Sequence, residues 1–212
     1  MPNLPISQLP ASDALTGAEL FAVVQGGITK YTTLNNITYA PGNTYGLYAQ
    51  TANSTPISGT TAESSLINGG VGTLSVPANG FKVGDSFRAI MAGVLNVDNN
   101  QTLRIRVKAG SIVLLDSGLQ SISNITNDVF SLNIDFTIRQ IGGAGTASIV
   151  SLGVFNYTKT VNGTIEGFSF NTINNTTFST TISNTLVITA QWGSTSINNS
   201  IYSDIFVLNK TY

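Results

Sequence analysis

Ten residues in the middle of the chain, FSLNIDFTIR (130–139), alternate without a break. Phe130, Leu132, Ile134, Phe136 and Ile138 fall on one side of an extended chain, and Ser131, Asn133, Asp135, Thr137 and Arg139 on the other. A helix would scatter those apolar positions around its axis. A β-strand, whose side chains point alternately to opposite faces, gathers them on one. TLRIRVK (102–108) repeats the pattern, with Leu103, Ile105 and Val107 opposed to Arg104, Arg106 and Lys108. Both segments therefore read as strands with one buried and one wet face.

Seven more short apolar runs follow the same logic: TLSVP (73–77), SFRAIMAGVLN (86–96), SIVLLDSG (111–118), ASIVSLGVFNYT (147–158), GTIEGFSFNT (163–172), NTLVITAQWG (184–193) and IYSDIFVLNK (201–210). Turn clusters such as NGFKVGD (79–85) and IGGAGT (141–146) separate several of them, and no segment carries a 3.6-residue repeat. Short strands punctuated in this way predict an all-β fold, a C-terminal antiparallel β-sandwich of jelly-roll type over 73–212. Residues 40–72, rich in Gly, Ser, Thr and Asn, read as a linker or as an extended segment wound around a neighbour. Residues 1–39 read as a separate N-terminal module.

Strands such as ASIVSLGVF and FSFNTI are apolar or β-branched on both faces. Such faces favour aggregation in a monomer and are covered in an oligomer, so a homo-oligomer is expected.

Composition narrows the function. Charged residues make up 9% of the chain, against about 25% in an average soluble protein, so Asn, Thr, Ser and Gln must supply most of the polar surface. There is no cysteine and no histidine, which removes disulfides, thiolate chemistry, Cys- or His-bound zinc and the Ser-His-Asp arrangement. The net charge of −1 comes without any basic cluster, so a nucleic-acid partner is not expected. The start, MPNLPISQLP, lacks the charged and apolar regions of a secretory signal. The apolar run IVLL (112–115) is far shorter than the ~20 residues that cross a bilayer, so membrane insertion is not expected either.

Acid-base chemistry would have to fall to carboxylates, of which Asp135 and Glu166 are candidates; nothing in the sequence ties them together, and solvated surface positions are the simpler reading. The Arg104, Arg106 and Lys108 stripe reads as a wet face before it reads as an anion grip. Trp192 reads as core or interface packing before it reads as a sugar platform. GGAG (142–145) lacks the Lys and the helix of a phosphate loop. Asn-x-Ser/Thr triplets such as those at Asn124 and Asn156 follow from the composition. Accordingly no enzyme activity, cofactor or metal is expected.

The N-terminal module is the most specific stretch. In ELFAVVQGGITKYTTL (19–34), LFAVVQ and ITKYTT are strand-like and Gly26-Gly27 suits a two-residue hairpin turn. Ile6, Leu9, Leu15, Leu20, Val23 and Leu34 form the expected docking set, because a lone hairpin is marginal in water and must be ordered by something else.

The pattern ISQLP…LTGAELFAVVQGGITKYTTLNNI resembles the short N-terminal module of bacteriophage tail-fibre and head-fibre proteins, of the form I-S-x-L-P, a spacer, G-x-E/D-L-hydrophobic-V-V-Q, G-x-T-K, then T-x-x-x-I. The match runs from Ile6 to Ile37, 32 of 212 residues. VGDSFRAIMAGVLN, LNIDFTIRQIG and NTLVITAQWGSTSINNSI are similar to a β-domain of phage and large-virus structural proteins. The resemblance implies a virion surface appendage, anchored to capsid or tail proteins through residues 1–39 and carrying an outward β-domain, often trimeric. A host surface glycan or receptor is the further partner it implies, and host attachment the alternative role.

Overall fold

Cross-strand pairing explains how the alternating segments become sheets. The computed structural model describes residues 20–33, 45–159 and 163–212, and the chain divides into two units, Met1–Asn43 and Thr44–Tyr212. Every regular element among the described residues is a β-strand.

The first unit contributes a hairpin. Strands β1 (Leu20–Gln25) and β2 (Ile28–Thr33) pair antiparallel, with Gln25 opposite Ile28 at the closed end. Gly26 and Gly27 between them have φ of 61° and 76°. Positive φ at both central residues is what a type I′ turn demands, and glycine meets it without a steric cost.

The second unit holds two antiparallel sheets. Its strands are β3 (Tyr45–Gln50), β4 (Ile57–Ser58), β5 (Ser64–Ser65), β6 (Gly70–Gly72), β7 (Ser75–Val76), β8 (Ser86–Val97), β9 (Gln101–Ala109), β10 (Ile112–Asp116), β11 (Gln120–Ile122), β12 (Ile125–Gln140), β13 (Ser148–Thr158), β14 (Ile165–Asn175), β15 (Asn184–Trp192) and β16 (Ser200–Lys210). The large sheet has the order β14-β13-β12-β8-β16-β3-β6, with β4 also on β16. The small sheet has the order β10-β9-β15-β5, with β11 added on β9 and β7 on β15. The fold is thus all-β, two antiparallel sheets sharing one core, an architecture compatible with a jelly roll.

Leu132, Ile134 and Phe136 from the large sheet and Leu103, Ile105 and Val107 from the small one belong to one buried hydrophobic cluster. Phe130, Phe155 and Phe168 stack across β12, β13 and β14 at centroid distances of 5.3 and 5.1 Å. Two glycines face this interior for want of space. A Cβ on Gly153 would come within 2.7 Å of the Phe170 ring, and one on Gly93 within 2.0 Å of the Tyr202 carbonyl oxygen, beside the β16 register shift between Ser203 and Ile205.

Of the segment 40–72, residues 45–72 supply β3 to β6, so the compact unit begins at Thr44 rather than near Thr73. Within this stretch Tyr48 on β3, Ile57 on β4 and Leu66, directly after β5, are buried in the shared core.

Candidate functional site

The expected docking residues fall into two groups. Ile6, Leu9, Leu15 and Leu34 lie outside the described residues. Leu20 and Val23 sit on β1, Leu20 largely exposed and Val23 half-buried. Val24, Ile28 and Tyr31 of the hairpin are exposed as well. Among the described residues of this unit the hairpin is the only element, and a lone two-stranded ribbon offers its apolar side chains little to pack against.

On the small sheet, the basic stripe is fully engaged. Antiparallel register sets Arg106 opposite Thr189 and Arg104 opposite Gln191, all pointing away from the core. Arg106 Nη1 donates to Glu63 Oε2 at 2.6 Å and Lys108 Nζ donates to Glu63 Oε1 at 2.7 Å. Thr189 Oγ1 donates to the same carboxylate at 2.6 Å. Arg104 grips Asp116 through both Nε and Nη2, and Arg106 Nε reaches Asp116 at 3.2 Å. The Arg104 hydrogen bond, against the opposing effect of burial, holds the Asp116 carboxyl at about 2. Burial pushes Glu63 up, but Lys108, Thr189 and the Arg106 charge outweigh it and leave the group lowered. The stripe is therefore a closed network of three cations shared between two carboxylates and not an open anion site. Glu63 and Asp116 were the unread half of it: Glu63 lies in the segment that looks like a linker, and its partners are more than forty residues away.

The two carboxylates considered for catalysis are far apart. Asp135 lies on the outer face of β12 and accepts from Arg88 Nε at 2.8 Å. Glu166 stands opposite Tyr157, which in turn stands opposite Phe130, five residues along β12 from Asp135. That is about 17 Å of extended chain, and the two side chains point to opposite faces of the sheet. A retaining or inverting pair needs roughly 5–10 Å.

Glu166 belongs instead to a polar cleft of about 520 Å³ at one end of the sandwich, lined among others by Asn99, Asn100, Ser123, Asn124, Tyr157 and Lys159. Lys159 Nζ donates to Glu166 Oε1 at 2.6 Å, and Ser123 Oγ and the Tyr157 hydroxyl donate to Oε2 at 2.6 and 3.0 Å. Those three donors, Lys159 first, bring its pKa down to about 2. A carboxyl held there carries no proton near neutral pH and does not suit the general-acid role. What the cleft offers is a fixed acceptor among amide and hydroxyl groups.

Trp192 is buried, and its Nε1 donates to the Ile57 carbonyl at 2.9 Å; it packs the core and presents no platform to a sugar. Two amides of the GGAG loop are spent within the fold, Gly142 N donating to Thr180 Oγ1 at 2.8 Å and Gly145 N to the Thr176 carbonyl at 2.7 Å. Among the described residues no group of Asp and Glu is arranged to hold a metal ion.

The feature the sequence only half disclosed is the outer face of the large sheet. Val71 lies opposite Ala49, Ala49 opposite Val207, and Val207 opposite Ile90, one apolar row across β6, β3, β16 and β8. Leu152 and Val129 flank it on β13 and β12, both exposed. No protein-family model matches the chain, and no curated protein is similar to it.

Proposed function

We propose that the chain is a virion structural protein, a short fibre or decoration protein anchored to capsid or tail proteins by its N-terminal module and displaying an oligomeric, homotrimeric β-domain at the particle surface. The observation that carries this reading is the Ile6–Ile37 pattern together with the form of its described part. A small hairpin with exposed apolar side chains belongs to a different unit from the β-domain that follows. Such a module is too small to fold on its own core and suits docking against a larger partner. The charge-poor, Asn- and Thr-rich β-domain suits an inert scaffold. Deleting residues 1–39 tests the reading: the truncated protein keeps its β circular dichroism but no longer copurifies with particles. Undiminished incorporation of the truncated chain would overturn it.

A second reading, host attachment through a surface glycan or receptor, is favoured by the cleft around Glu166. A fixed carboxylate acceptor flanked by Asn99, Asn100 and Asn124 matches the alternating donors and acceptors of sugar hydroxyls. Binding on a glycan array that disappears in Glu166→Gln would support it, and an array blank with folded wild-type protein would end it.

A further inference from the structure

We propose that the outer face of the large sheet binds a second copy of this chain, which gives the oligomer of the preceding reading its contact surface and rests on that reading. Along β8, Phe87, Ala89 and Met91 are buried in the core, so Arg88 and Ile90 between them point outward. The row Val71–Ala49–Val207–Ile90 runs on through Asn133 of β12 to Val154 of β13. Val71, Leu152 and Ile205 are 66%, 44% and 57% exposed, more apolar side chain than a wet sheet face needs.

Size and charge identify the occupant. The six strands β3, β16, β8, β12, β13 and β14 lie side by side. At ~4.8 Å between strands and ~3.4 Å per residue they present a face of roughly 24 by 34 Å, or about 800 Å². A stable protein–protein contact takes about that much from each partner. Arg88 and Asp135, Cα partners on β8 and β12, neutralise each other at 2.8 Å. A face so balanced can lie against neighbouring copies gathered around a shared axis without like-charge repulsion, each copy meeting a different part of the next one's face. Asp204, in the β16 register shift beside Ile205, is exposed. Asp204 lies about 10 Å along β16 from Val207, and a carboxylate belongs at the wet rim, which sets the contact toward the other side, over Ile90, Val207, Val154 and Leu152.

The test uses the full chain in light scattering at micromolar concentration. Ile90→Lys and Leu152→Lys each change an outward side chain, so either variant serves if the other folds poorly, and unchanged circular dichroism shows that the fold survives. Val113→Lys, on the outer face of β10 in the small sheet, is the control. The expected result is a multimer for the wild type and for Val113→Lys, and a single-chain mass for Ile90→Lys and Leu152→Lys. A multimer that persists in both face variants overturns this surface while leaving the oligomeric reading standing. A single-chain mass for the wild type overturns both.

Discussion

The outer face of β9 and β15 and the outer face of β8 and β16 come from the same two-residue alternation, yet they hold up different things. On the small sheet the outward positions are Arg104, Arg106, Lys108, Thr189 and Gln191, bound into one network by Glu63 and Asp116. On the large sheet they are Val207, Ile90, Val154 and Leu152, with the Arg88–Asp135 pair among them. Alternation alone says which side chains enter the core. The residues on the other side say what that side meets, water in one case and, as proposed, protein in the other. Of the charged side chains, Arg104, Arg106, Lys108, Glu63 and Asp116 are tied into one network on the small sheet, whereas on the large sheet Arg88 and Asp135 form a pair and Arg139 and Asp204 stand apart from it.

The largest blow to this contrast comes from inside. Gly93→Ala places a methyl carbon where the Tyr202 carbonyl oxygen is 2.0 Å away and Ser203 Cα 2.7 Å away. Backbone cannot yield as a side-chain tip can, so β16 has to shift from β8. We expect a loss of about 3 kcal/mol, at the upper end of overpacking costs, read as a lower urea midpoint. The same shift breaks the Val207–Ile90 row, so the variant also loses the multimer. A Gly93→Ala protein with wild-type stability and mass would mean that the two strands are not locked as described.

A smaller effect separates the two faces directly. Glu63→Gln keeps a group that can accept from Thr189 but removes the charge that Arg106 and Lys108 share. These groups are partly exposed, so the expected loss is about 1 kcal/mol, between surface and buried values. Ile90→Lys, by contrast, should leave the unfolding midpoint of the dissociated chain within ~0.5 kcal/mol of wild type. One face is worth stability within the chain and the other association between chains. Equal losses from both substitutions in unfolding experiments would erase the distinction.

The strands themselves were legible because they are long and alternate: the expected spans 86–96, 147–158, 184–193 and 201–210 became Ser86–Val97, Ser148–Thr158, Asn184–Trp192 and Ser200–Lys210. What escaped was β3 to β6 and β11. These strands are two to six residues long, rich in Gly and Ser, and set by pairing with strands distant in sequence, as Ser64 and Ser65 pair with Ala190 and Thr189. Periodicity has nothing to register in so short a span. Glu63 was lost with them, and with it the reason the Arg104–Lys108 stripe is no open anion site. The large-sheet face was half legible: ASIVSLGVF announced Val150, Leu152 and Val154, but Ile205 turns outward only through the register shift after Ser203, which no alternation rule foretells.

Acid sharpens the contrast most gently, because it titrates one face's network and leaves the apolar row untouched. Asp116 titrates at about 2 in the fold against an ordinary 3.8, and Glu63 is also lowered. A carboxyl depressed by folding adds stability above its unfolded pKa and loses it as pH falls toward its folded one. The small-sheet network should therefore hold its full contribution at pH 6 and begin to shed it as pH falls through 4.5, the ordinary value of Glu63, with the Asp116 share lost between about 3.8 and about 2. Urea midpoints measured across that window should fall for wild type and fall less steeply for Asp116→Asn, which has no such proton to take up. Some slope remains in that variant, since Glu166 is likewise held at about 2 by Lys159, Ser123 and Tyr157. Ile90→Lys should keep the wild-type slope, because Val207, Ile90 and Leu152 carry no proton to exchange. An Asp116→Asn slope as steep as wild type would remove Asp116 from the groups that tie stability to pH.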